Sequence, residues 1–109
     1  MMQQTRRIFC FIFQVILDLV PNHTSDQHPW FQESVKNRTS KYADYYIWKD
    51  GEKPPNNWVS VFNNSAWTRH NDTKQYYFHQ FFPQQPDLNY RNPLVQQEMK
   101  VSFHRFQSI

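Results

Sequence analysis

Glycine is nearly missing from this sequence. The 109 residues hold one, Gly51, where average usage of about 7% would give seven or eight. Self-contained domains use glycine at left-handed turns and helix ends. The nine asparagines fill some of those places, yet the shortage marks the chain as part of something larger. Cysteine is as scarce. Cys10 stands alone, which excludes an internal disulfide framework and a cysteine-based zinc site. No basic run exceeds Arg6-Arg7. The net charge of +3 comes from twelve Lys/Arg and nine Asp/Glu spread along the chain, so the concentrated patch of a nucleic-acid binder is lacking. The longest apolar stretch, "RRIFCFIFQVILDLV" at 6–20, is broken by Gln14 and Asp18 and is too short to span a bilayer. It begins as a signal peptide does but has no small-residue cleavage site. It reads instead as a strand behind an atypical leader, residues 1–13. No internal repeat or low-complexity tract occurs.

Aromatics, at 18%, are plentiful. A chain this rich in Phe, Tyr and Trp is not disordered as a whole. Residues 11–20 form a near-continuous apolar run, the pattern of a parallel strand buried on both faces. "DQHPWFQESVKN", 26–37, predicts a short helix: Asp26 or His28 lies at its start, Pro29 fits the first turn, and Trp30, Phe31, Ser34 and Val35 recur at helical spacing. Residues 38–66 are polar, aromatic and turn-rich, with a short strand expected near Trp58–Phe62. "KQYYFHQF", 74–81, alternates as a strand does. "PQQPDLNYRNP" is extended and punctuated by proline. Asn92 then caps a helix with Pro93 at its first position, continuing through Leu94, Val95, Glu98 and Met99. Strand, then helix, is the βα unit of a parallel α/β fold. About seventy residues separate the two, far beyond the usual loop limit of about 12–15. That is enough for a small subdomain inserted at the strand's C-terminal end, the active-site face of barrel enzymes.

Chemistry gathers at that strand end. A carboxylate on a buried strand is costly unless paired or hydrogen-bonded; Asp18 is thus either a structural acid holding a neighbouring loop or a ligand contact. Asn22 and His23 follow where the strand breaks at Pro21. "NHT" at Asn22, "NRT" at Asn37, "NNS" at Asn63 and "NDT" at Asn71 are glycosylation sequons, which suits a secreted or extracellular-facing chain. Asn22 is a poor acceptor if it lies in a site floor. Trp30, Trp48, Trp58 and Trp67 suit either a core or stacking on sugar faces. His79 and Asp87, taken with His23, are spaced too widely and irregularly for any metal motif.

Two segments carry a resemblance. "DLVPNH", Asp18–His23, resembles the first signature region of the α-amylase family of glycoside hydrolases, at the end of the third barrel strand. "QPDLN" (Gln85, Pro86, Asp87, Leu88 and Asn89) resembles the signature near the end of that family's inserted domain B, in the form typical of the oligo-1,6-glucosidase and α-glucosidase branch. Between them, "DYYIW", "PPNNWVSVF", "SAW" and "YYFHQF" look like animal maltases, insect ones especially. The resemblance covers roughly Val15 to Lys100.

It implies a fold class of α/β: a stretch of a (β/α)₈ barrel, with strand three and its site loop at 14–25, domain B at 26–91 and the following helix at 92–109. It implies that Asp18 and Asn22 support the active-site floor and that His23 hydrogen-bonds the sugar in the cleaved subsite. In calcium-dependent amylases the positions of Asn22 and Asp87 bind the ion; the glucosidase branch generally lacks it, so no metal or other cofactor is expected. The implied substrate is an α-glucoside, cleaved with retention by a nucleophile and a general acid about 5–5.5 Å apart. These follow strands four and five, with a third acid after strand seven, so no catalytic carboxylate is expected in this chain, and Glu98 is read as lying on a solvated helix face. The ends, "MMQQTRRIFCFIF" and "VSFHRFQSI", depart from the family pattern and read as edges of a truncated or misassembled gene. A membrane anchor, if the parent has one, is not expected here. A barrel of this kind needs about 250 residues; the isolated chain is expected neither to fold stably nor to hydrolyse anything. A heavy subunit of amino-acid transporters, built on the same barrel without catalysis, is the alternative parent, and a stand-alone sugar-binding module is a second rival.

Overall fold

The computed structural model describes residues 14–108. The leader 1–13, Cys10 and the first residues of the expected strand lie outside them. The elements are α1 (Pro29–Lys36), a 3₁₀ turn (Ala43–Tyr45), β1 (Trp48–Lys49), β2 (Trp67–Arg69), β3 (Tyr76–Phe78) and α2 (Pro93–Gln107).

Both helices start where proline permits. In α1, Pro29 occupies the first turn, where a missing N–H costs nothing, and His28 caps it by accepting from Trp30 N–H at 3.1 Å. In α2, the Asn92 side chain accepts from Leu94 N–H at 2.9 Å, with Pro93 at the first position. Lys36 ends α1 and Arg105 lies in the last turn of α2, placing positive charge where the helix dipole favours it.

The strands form one small antiparallel sheet in the order β1-β3-β2. β3 is central: Trp48 pairs with Tyr77 on one side, and Trp67 with Phe78 on the other. "KQYYFHQF" thus contributes the expected strand. Near Trp58–Phe62 the expected strand reduces to a single bridge, Val59 to Ser65. Asn63 stands between them at φ 63°, a left-handed turn position that asparagine tolerates well.

The core is aromatic. Phe31, on α1, meets Tyr46 and Tyr77 edge-on at 5.0 and 5.3 Å and stacks on Trp48 at 5.5 Å. Each such pair adds about 0.5–1.5 kcal/mol beyond area burial. Leu88 and Val95 complete this cluster, Val95 with no exposed surface. Ala66, Trp67 and Tyr76 form a second cluster.

Residues 14–20 are the run expected to serve as strand three of the whole barrel. They hold no regular secondary structure and are exposed throughout, with Ile16 at 97%. A strand meant for burial on both faces needs a neighbour on each edge, and among the described residues none pairs with it. Glu98 departs from its expected place. It is half-buried rather than solvated: it accepts from the Tyr45 hydroxyl at 3.2 Å and lies 3.7 Å from Lys41 Nζ.

Candidate functional site

The two signature segments lie 62 residues apart at their closest contact, yet they run side by side. His23 and Asp87 form an antiparallel bridge. Thr24 N–H donates to Pro86 O at 3.2 Å, Leu88 N–H to Asn22 O at 2.9 Å, and Asp26 N–H to Gln84 O at 2.9 Å. The chain that breaks at Pro21 is therefore stitched along the length of "QPDLN". Tyr46, buried beneath it, exchanges a hydrogen bond with the Thr24 hydroxyl at 2.8 Å. Burial pushes the Tyr46 hydroxyl up to about 12, partly offset by that bond.

Within this clasp, His23 is half-buried. Its Nδ1 lies 2.7 Å from the Asn22 amide and its Nε2 3.0 Å from that of Gln85. The Phe81 ring stands 5.6 Å away, tilted by 52°. Asp87 is buried, and its acceptors are satisfied locally: Oδ1 accepts from Gln80 N–H at 2.8 Å and Oδ2 from Gln80 Nε2 at 2.7 Å. Leu88 fills the core below, and Asn89 N–H donates to Tyr45 O at 2.7 Å while its side chain donates to Asp44 O at 3.2 Å. Pro86 is fully buried. Each member of the signature thus has its own task, and Gln85 alone turns its side chain to the histidine.

Asp18 is not brought into this group. It is exposed and makes no hydrogen bond to another described residue. His79 is buried a short way off, where its Nδ1–H donates to Phe81 O at 3.0 Å and its Nε2 accepts from the Thr68 hydroxyl at 2.8 Å. Fully buried and bonded at both ring nitrogens, it is a structural histidine, whereas His23, also bonded at both, keeps an exposed edge. Among the described residues no group of three or more His, Cys, Asp or Glu side chains is placed to hold a metal. Sequence reasoning missed Gln80 and Phe81. Neither stands out in "YYFHQFF", since only the fold brings them against Asp87 and His23.

The aromatic surface continues as a half-open cleft of ≈ 580 Å³. Trp58 and Trp67 stack there at 6.5 Å, and Trp67 Nε1–H donates to Asn56 Oδ1 at 2.9 Å. Of the sequon asparagines, Asn37, Asn63 and Asn71 are exposed, whereas Asn22 is half-buried against His23.

The profile of the alpha-amylase catalytic domain family matches residues 12–108. An amino acid transporter heavy chain, SLC3A1, of Rattus norvegicus is 55% identical over 93 residues, 80% of this chain and 14% of the rat protein. An alpha-glucosidase of Apis mellifera is 54% identical over 93 residues, 80% of this chain and 16% of its own. In structure, the trehalose-6-phosphate hydrolase of Bacillus licheniformis superposes with a TM-score of 0.81 at 42% identity, over 87% of this chain and 18% of that one. The chain spans 14% to 18% of the length of these proteins. Its small sheet and two helices are a stretch of that larger barrel domain, and the chain belongs to the alpha-amylase catalytic domain family.

Proposed function

We propose that this chain is part of an α-glucosidase that hydrolyses terminal α-1,4-glucosidic bonds with retention of configuration. The observation that carries the reading is the clasp itself: His23 is held beside Phe81 by the two signature segments, an imidazole next to an aromatic face, the combination that grips a sugar by hydroxyl and by ring. His23 is the sugar contact, Asn22 holds it, and Asp18 joins the floor once its strand is paired. Residues 14–25 supply the strand and site loop, 26–91 the inserted domain and 92–109 the helix that returns to the barrel. What these residues do is bind and orient the glucosyl unit; proton transfer and nucleophilic attack belong to two carboxyl groups about 5–5.5 Å apart, carried by later strands of the same domain. The parent is secreted or faces the extracellular side, with Asn37, Asn63 and Asn71 as exposed glycan acceptors.

A second reading has a specific observation behind it. The transporter heavy chain is as similar as the glucosidase, at 55% against 54%. The two readings share the clasp and differ in the strand after α2. Sequencing the transcript across both ends of this reading frame separates them. The glucosidase reading requires an arginine–x–aspartate nucleophile signature at the end of the next strand. A next strand lacking that aspartate, in a product with a membrane span ahead of the barrel, assigns the chain to the heavy-subunit class.

A further inference from the structure

The imidazole of His23 is enclosed by two carboxamides. A neutral imidazole offers one N–H and one lone pair, so the amides of Asn22 and Gln85 meet it with opposite atoms, one with nitrogen and one with oxygen. Which amide presents which atom depends on what else each is bonded to. Asn22 makes no second side-chain hydrogen bond to a described residue and is free to turn either way. Gln85 is not. Its Oε1 accepts from Phe82 N–H at 3.3 Å, and its backbone N–H donates to Phe82 O at 2.9 Å. With its oxygen engaged there, the NH₂ group is what reaches His23 Nε2 at 3.0 Å. Nε2 therefore accepts and Nδ1 carries the proton; the Asn22 amide, whose nitrogen lies 2.7 Å from Nδ1, must turn over to present its oxygen there.

We infer that Gln85 is a positioning residue that sets the tautomer of His23, and so decides which edge of the ring offers a lone pair to a sugar hydroxyl. Only the consequence for sugar rests on the proposed function; the tautomer is a property of the chain itself. A hydroxyl that shares or takes over the place of the Gln85 amide must donate to Nε2, as that amide does. Asn22 follows whichever tautomer Gln85 imposes.

Long-range ¹H–¹⁵N correlation spectra of the histidine-labelled natural full-length product that contains residues 14–108, taken well above the free-imidazole value of about 6.5, read each histidine's tautomer directly. In the wild-type chain His23 shows the Nδ1–H form alone. Gln85→Glu, which offers only acceptors, shifts His23 to the Nε2–H form. Gln85→Leu, uncharged and of similar size, leaves His23 averaging both. His79, fixed by Phe81 O and the Thr68 hydroxyl, keeps its Nδ1–H form throughout and reports that the fold is retained. A wild-type His23 that averages both tautomers overturns the assignment. So does a His23 that keeps a single Nδ1–H form in Gln85→Leu. Addition of maltose tests the other claim separately: resonances of His23 that do not respond contradict the sugar contact and leave the tautomer assignment standing.

Discussion

Single residues carry this site, and Asp87 shows how. A buried carboxylate is costly unless its charge is met by donors, and the structure meets it with the backbone and side chain of Gln80. Asp87→Ala leaves the Gln80 N–H without its acceptor, at a cost of about 1–3 kcal/mol. Urea unfolding of the natural full-length product reads this as a lower midpoint; an unchanged midpoint contradicts it. Three tyrosines supply a second test. Tyr45, Tyr46 and Tyr77 are each pushed up to about 12, first by burial, with the Glu98 carboxylate adding to the effect on Tyr45 and Asp26 to that on Tyr77. The folded chain favours their neutral form, so this contribution to stability is whole below about pH 10, the free phenol value, and fades as pH climbs from 10 toward 12. Phenolate absorbance of these three lags that of free tyrosine until the fold gives way; simultaneous ionisation of all tyrosines near pH 10 contradicts it. Asn22 and His23 were legible in the sequence because the break at Pro21 sets them at the end of an apolar run. The partner Gln85 was visible as a motif letter, but its contact with a residue 62 positions away is settled by tertiary pairing, which no local pattern encodes.

Among elements, helices were the most readable because their starts are written in residue types. Pro29 and Pro93 stand at first positions, and Asn92 caps α2 as its side chain suggests. Asn92→Ala removes that cap and costs about 1 kcal/mol. Amide exchange of Leu94 and its neighbours then quickens while the β3 amides stay protected; equal protection in both chains contradicts the assignment. Strands were harder. β1 and β2 span two and three residues, too few for an alternation to register, and they exist because β3 offers them an edge on either side. The opposite holds for residues 14–20: the apolar pattern is strong, but a strand needs neighbours to supply hydrogen bonds, and among the described residues none does.

At the scale of the molecule, two surfaces contrast. The aromatic interior joining α1, β3 and the clasp is closed. Val15, Ile16, Leu17, Leu19 and Val20 are open to solvent, as are Leu94, Val101 and Phe103 on α2. Such exposed apolar side chains are consistent with a chain that spans 13% to 18% of its relatives' length. The clasp around His23 is proposed above to serve an α-glucosidase. The most direct measurement is maltose hydrolysis by the natural full-length product that contains residues 14–108, purified alongside its His23→Ala variant, with the product anomer followed by NMR. Glucose is expected to be released first as the α-anomer, and kcat/KM to fall at least about tenfold in the variant, the loss expected for one substrate hydrogen bond of about 1.4 kcal/mol. A full-length product that releases no glucose, or one whose rate is indifferent to His23, contradicts it.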